Sequence, residues 1–308
     1  LDLADENINE FRARNSVRAR PFAITASIPN MAAFQVSREL VTQGPLSCIT
    51  TACATGTQTI GEAADAIRYG RADIMFAGGT EATIRDFAIA GFSGMKALPT
   101  HFNDTPEKAS RPFDARREGF VFSEGCGIVV LERLDHALAR GARIYAEVLG
   151  SAASADAYHV AAPDPEGRGA IRAMRWALAD AQIPLDTVGY INAHGSSTPI
   201  NDPLESVAIK QVFGERAYNI PVTSTKSMIG HPMGASGALE AIACAMTIHT
   251  GVIHPTINLD EADPQCDLDY VPNEAREAKV TVTLSNSFGL GGQNACLVLG
   301  KYDGTKTD

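Results

Sequence analysis

From residue 144 to residue 299 the chain alternates short apolar runs with helix-length amphipathic segments, and this alternation constrains the fold more than any other feature. Apolar runs at 144–149, 188–192, 221–225, 280–285 and 295–299 read as strands. The segments 167–182, 203–213 and 235–251 read as helices. In the first of these Ile171, Met174, Leu178 and Ala181 share one face at the i, i+3, i+7 spacing of a buried helix side. Strands separated by helices of this length indicate an α/β fold in layers. A looser version of the same order runs through the front: a helix near 31–41, a β-prone run at 47–51, a helix at 57–67, a buried strand at 72–79, a strand pair at 120–122 and 127–131, and a short helix at 134–140. Two similar α/β halves are expected, 1–141 and 142–308. Asp202-Pro203 with Glu205 reads as a helix start, with Asp202 as the cap.

The composition narrows the function. With 308 residues, 45% of them hydrophobic, the chain can bury a large core. A formal charge of -10 argues against broad binding to nucleic acid or an anionic membrane. No run approaches the length of a membrane-spanning segment. The first residues, Leu1-Asp2-Leu3-Ala4-Asp5-Glu6, do not read as a secretory signal. Six cysteines without a CxxC pair suit a reducing compartment, so a cytoplasmic location is expected.

Reactive chemistry gathers at three points. Thr51-Ala52-Cys53-Ala54-Thr55-Gly56 places Cys53 at a strand-to-helix junction among small residues, where free amides and the helix dipole favour a thiolate. Cys48, inside the expected strand at 47–51, reads as a packing residue. Asn192-Ala193-His194-Gly195-Ser196-Ser197-Thr198-Pro199 puts His194 just past a strand. Lys226-Ser227-Met228-Ile229-Gly230-His231 puts Lys226 and His231 past another. In open α/β sheets ligands collect beyond the carboxyl ends of strands. His101, His159, His249 and His254 lack that setting. One thiol and two imidazoles at such long spacings do not make a structural zinc signature, and no metal is expected. The glycines of 78–79 and 289–292 fit no nucleotide-binding motif.

These stretches, together with Asn286-Ser287-Phe288-Gly289-Leu290-Gly291-Gly292, resemble the β-ketoacyl-[acyl-carrier-protein] synthases, above all the elongating types I and II. Four ordered motifs carry the resemblance over essentially the whole chain, although the family's opening segment has no counterpart here. The resemblance implies a thiolase-like fold of two α/β halves in α-β-α-β-α layers. It implies decarboxylative condensation in fatty acid elongation. Cys53 matches the acyl-accepting nucleophile, His194 and His231 the imidazoles that bind the malonyl thioester, and Lys226 the lysine that organises them. Glu240 matches an acid that supports this lysine and a nearby water or monovalent cation. Ser196 and Thr198 match hydroxyls along the phosphopantetheine channel, and Phe288 and Leu290 the mobile gate. The amides of Cys53 and Phe288 would form the oxyanion hole. No bound cofactor is implied, since the phosphopantetheine arrives on the substrate carrier.

The implied partners are an acyl carrier protein and a second copy of the chain, with Phe22 to Met31 as the loop reaching the partner's acyl pocket. Arg18 and Arg20 match the docking segment, with Arg111, Arg116 and Arg117 as weaker candidates. Leu290 departs from the family, which usually has a second Phe there, and Gln293 stands where His or Thr is common. A thiolase, a polyketide-type ketosynthase and a non-catalytic scaffold of the same fold are the alternatives. Retention of Cys53, His194, Lys226 and His231 argues against the last.

Overall fold

A computed structural model of the chain describes residues 2–14 and 20–304. In chain order its elements are α1 (Asp2–Ala13), α2 (Met31–Leu40), α3 (Thr55–Arg68), β1 (Ile74–Glu81), α4 (Asp86–Gly94), β2 (Gly125–Glu132), α5 (Leu134–Ala139), β3 (Glu147–Ala155), α6 (Arg168–Ala181), β4 (Tyr190–Asn192), α7 (Asn201–Phe213), β5 (Val222–Thr223), α8 (Lys226–Ile229), α9 (Ser236–Thr250), β6 (Val252–Ile253), β7 (Arg276–Glu277), β8 (Val282–Gly289) and β9 (Gln293–Gly300).

The main sheet has five strands in the order β3-β9-β8-β4-β5. The pairs β3/β9 and β8/β9 are antiparallel, and β8/β4 and β4/β5 are parallel. β8 and β9 are buried along nearly their whole length, because α6 covers one face of the sheet and α3 and α9 the other. Beyond α3 and α9 lies an antiparallel ribbon of β1 and β2. Its side chains alternate: Ala77 and Gly79 face the helices, whereas Ile74, Phe76, Ile128 and Val130 are exposed. The described residues therefore form ribbon, helices, sheet and helices, and no fifth layer lies over the ribbon's outer face.

α3 and α9 cross closely enough to exclude side chains at the contact. A Cβ on Gly56 would lie 2.4 Å from the Ala238 nitrogen, and one on Gly237 would lie 2.1 Å from Thr57 Oγ1. Beside this crossing Thr57 Oγ1 and Ser287 Oγ share a buried 2.7 Å hydrogen bond, which ties the start of α3 to β8. The crossing joins the front half of the chain to the back half in the first turns of both helices.

Several expectations are corrected. Residues 47–51 form no strand, and Cys48 is exposed. A β-prone run stays single when no neighbouring strand lies beside it. Residues 120–122 do not pair with 127–131. β2 pairs with β1, and Phe122 instead bridges to His231. Asp202 lies inside the first turn of α7, whose N-cap is Ile200. Its carboxylate accepts the Phe113 amide at 2.9 Å, so a tertiary contact uses the oxygen that a cap would have needed. Phe288 lies within β8 and not on a loop, since that strand runs on to Gly289. No helix among the described residues is long and apolar enough to cross a membrane.

Candidate active site

Cys53 sits in a single 3-10 turn, Ala52–Ala54, that leads into α3. Ala52 has φ of 50°, a left-handed conformation that is costly for a residue with a Cβ and turns the chain sharply just before the thiol. His194 lies two residues past β4. His231 follows α8, and α9 begins just after it. The structure brings all three together. Cys53 Sγ is 3.1 Å from His231 Nε2, and one ligand atom from each of Cys53, His194 and His231 falls within 4.8 Å of the others. All three side chains are buried.

The two imidazole loops are held differently. His194 is held by its backbone: its amide donates to Glu205 Oε1 at 2.8 Å, and its carbonyl accepts from Lys226 Nζ at 2.7 Å. The next amide, of Gly195, donates to Glu205 Oε2 at 2.8 Å. His231 is held at the ring. Nδ1 meets Ser236 Oγ at 2.8 Å, and the Phe120 ring stands edge-on at 5.3 Å. Its amide also donates to the Val121 carbonyl at 2.7 Å. Lys226 is fully buried and ion-paired with Glu240, so one ammonium joins the His194 backbone to α9.

Burial sets the protonation states. It depresses both imidazoles well below their ordinary value, helped by the Lys226 charge and, for His194, by His231. Both rings are therefore neutral near pH 7. Burial also pushes the Cys53 thiol up to about 11, outweighing the Lys226 charge and the amides of Leu290 and Cys53. The expected resting thiolate is thus corrected: a helix-start position does not lower a thiol that has lost its water. The backbone amides of Leu290 and Cys53 both favour negative charge on the sulfur.

The remaining candidates fall into two groups. Ser196 and Thr198 share a 3.0 Å hydrogen bond on the His194 loop, and the Phe288 ring lies 5.8 Å from that of His194. Leu290 lies at the rim, 36% exposed. The arginines diverge. Arg18 lies outside the described residues, and Arg20 is exposed and ion-paired with Glu10. Arg111 and Arg117 are buried against Asp114, Asp202 and Asp263, which makes them internal struts unable to meet a partner. Arg116 is half-exposed and pairs with Glu261 at 3.3 Å.

The sequence reading missed Glu205, Ser236 and Met233, whose sulfur lies 4.0 Å from that of Cys53. In the sequence Glu205 reads only as part of a helix start. A carboxylate eleven residues beyond a glycine-flanked His was the available signal.

Two family models match the chain. That of the β-ketoacyl synthase N-terminal domain covers residues 4–137, and that of the C-terminal domain covers residues 145–260. The chain is 52% identical to 3-oxoacyl-[acyl-carrier-protein] synthase 2 of Synechocystis sp., over 92% of this chain and 68% of that protein. It is also 52% identical to the protein of the same name from Staphylococcus aureus, over 93% of this chain and 69% of that one. Among solved structures, a β-ketoacyl synthase from Burkholderia phymatum superposes with a TM-score of 0.91 at 37% identity, over 97% of this chain and 72% of that one. The ketosynthase assembly described as a type II polyketide synthase acyl-carrier protein in complex with its ketosynthase, bound to the hexaketide, superposes at 0.90 with 42% identity, over 92% and 70%.

Proposed function

The chain belongs to the β-ketoacyl synthase family, and on that premise we propose that it is an elongating 3-oxoacyl-[acyl-carrier-protein] synthase of fatty acid synthesis. The observation that carries the chemistry is the meeting of one thiol and two neutral imidazoles within 4.8 Å.

The first half-reaction is acyl transfer. Cys53 Sγ attacks the thioester carbonyl of an acyl carrier protein. Because the thiol is protonated, His231 Nε2 at 3.1 Å takes its proton and returns it to the departing carrier sulfur. The amides of Cys53 and Leu290, which favour negative charge at the sulfur, would hold the oxyanion. In the second half-reaction the malonyl thioester oxygen accepts N–H donors from His194 and His231. Loss of CO2 leaves an enolate, whose carbon attacks the acyl-Cys53 carbonyl and frees the sulfur. A proton from solution restores the thiol. Lys226 and Glu240 hold the His194 loop, Ser196 and Thr198 line the path of the phosphopantetheine arm, and Phe288 and Leu290 border the acyl entrance.

No resident cofactor is required. Asn192 Oδ1 and Glu240 Oε2 are buried oxygens with no hydrogen-bond partner within ordinary distance among the described residues, and each could accept from a water or ligate a monovalent cation. A cation there would offset the Glu240 charge. The proposed partners are an acyl carrier protein, with Arg20 at its docking surface, and a second copy of the chain. Exposed apolar residues support the second copy: Phe22 and Ile24 on the loop between α1 and α2, and Leu46 just before the unpaired segment 47–51. A cytoplasmic location goes with this reading.

The test is a pair of half-reactions. Intact mass after exposure to acyl carrier thioesters should show one acyl group, absent in Cys53→Ala. Malonyl carrier protein should lose CO2 with wild type and with Cys53→Gln, but not when either His is replaced by Ala. Acylation of Cys53→Ala, or decarboxylation that survives loss of both imidazoles, defeats the scheme.

A further inference from the structure

In the cycle above His231 has two tasks that one neutral tautomer cannot perform. To take the thiol proton at Nε2, the ring must carry its hydrogen on Nδ1. To donate from Nε2 to a thioester oxygen, it must leave Nδ1 bare. The group that meets Nδ1 therefore governs which task is available.

That group is the Ser236 hydroxyl, 2.8 Å away on the first turn of α9 and fully buried. A backbone amide at this position could only donate, and a carbonyl could only accept. A hydroxyl does either by turning its hydrogen. The loop does not depend on Ser236 alone for its place. The Phe120 edge, the Val121 carbonyl and the bridge to Phe122 fix the His231 loop independently. By contrast, His194 has its Nδ1 buried with no hydrogen-bond partner among the described residues, and the scheme gives it a single task, donation.

We propose that Ser236 is a positioning residue that lets His231 exchange tautomers between the two half-reactions, its hydroxyl accepting from Nδ1–H during acyl loading and donating to bare Nδ1 during decarboxylation; each exchange takes up one proton from water at Nε2 and gives the Nδ1 proton back to water by way of the imidazolium, so the ring gains no net charge. The inference rests on the proposed function, because that reading gives His231 both tasks. Free neutral imidazole side chains favour hydrogen on Nε2, so loss of the hydroxyl should strand His231 in the donating form. Acyl loading should suffer and decarboxylation should be spared.

The experiment combines 15N NMR of histidine-labelled protein with the two half-reactions. In Ser236→Ala the His231 nitrogens should move toward the Nε2–H pattern. The rate of Cys53 acylation should fall about threefold to tenfold, the worth of one hydrogen bond, relative to malonyl decarboxylation. Ser236→Thr should restore the wild-type ratio. Should Ser236→Ala not fold, Ser236→Cys keeps the shape with a weak hydrogen-bonding group and must shift the ratio the same way. Unchanged His231 resonances, or equal losses in both half-reactions in the folded variant, overturn the proposal. Wild type inactive in both half-reactions would instead defeat the functional reading, while the resonances would still report the tautomer.

Discussion

The loops that carry the two imidazoles both lie beyond parallel strands of the main sheet, His194 just past β4 and His231 past β5 and α8, yet they are secured by different physics. The His194 loop is secured through its backbone by two buried ionisable groups, Glu205 and Lys226. The His231 loop is secured by neutral contacts: a hydroxyl, an aromatic edge and main-chain bonds to 121–123. One loop is therefore sensitive to charge and pH, whereas the other is sensitive to shape. The difference matches the tasks. A ring that only donates can be locked by its backbone, while a ring that exchanges protons with Cys53 needs a partner of either sense.

The largest effect should come from the one group that reaches both the His194 loop and α9. Lys226→Met removes the ammonium under the His194 carbonyl and leaves Glu240 buried without its counter-charge. Breaking such a buried pair costs about 3–5 kcal/mol. Decarboxylation should fall about a thousandfold as the donor loop loses its position. Urea denaturation alongside the decarboxylation assay checks both. Loss of stability with activity retained would show that the loop holds itself.

His194→Ala and His231→Ala sharpen the comparison. Each removes one donor from the enolate oxygen and should slow decarboxylation about a hundredfold or more. Only His231→Ala should also slow acylation of Cys53, since only His231 lies within 3.1 Å of the thiol. Rapid-quench acylation kinetics separate the two, and equal acylation defects would erase the division of labour.

A smaller effect is expected at Glu205. Burial raises its carboxyl from 4.5 to about 7, against the hydrogen bonds it accepts from Gly195, His194 and Asn286. Between these values the folded state holds a proton that the unfolded state has released. The associated stability is complete below about pH 4.5 and is lost as pH rises through about 7. Glu205→Gln abolishes that slope. It also turns an NH2 toward an amide that donates, costing about 1–3 kcal/mol at the His194 loop. Thermal melts across this pH range measure both, and an unaltered slope in the variant would assign the titration to another group.

The same contrast explains what could be read from the sequence. Cys53, His194, Lys226 and His231 were legible because each sits in a short local motif at an element boundary. The helices and buried strands of the back half were legible from periodicity, and their bounds fell within a few residues, apart from β3, which runs on past 149 to Ala155, and β8, which runs on past 285 to Gly289. Glu205 and Ser236 were not legible as site residues, because their roles depend on contacts made only when separate segments meet. Residues 47–51 were misread because strand propensity says nothing of whether a neighbour is present. The resting state of Cys53 was misread for a related reason. A helix-start argument counts local dipoles, whereas desolvation depends on everything packed around the sulfur, including Met233, 180 residues away.

The smallest effect should come from Leu290, where the chain departs from its family. Its backbone and side chain point to different consequences. The amide favours charge at the Cys53 sulfur and is kept in any substitution except proline, whereas the side chain lies at the rim and is partly exposed. Leu290→Phe should therefore leave malonyl decarboxylation unchanged, since no imidazole contact is altered. Acyl loading should change by less than about tenfold, because one side chain in an apolar passage discriminates by about 1–3 kcal/mol at most. The change should depend on chain length, with a bulkier rim slowing the longest acyl groups most. Acylation rates across a series of carrier thioesters read this out. A uniform change at every length would place Leu290 in the oxyanion geometry and not at the entrance, and would tie the gate to the shape-held side of the site.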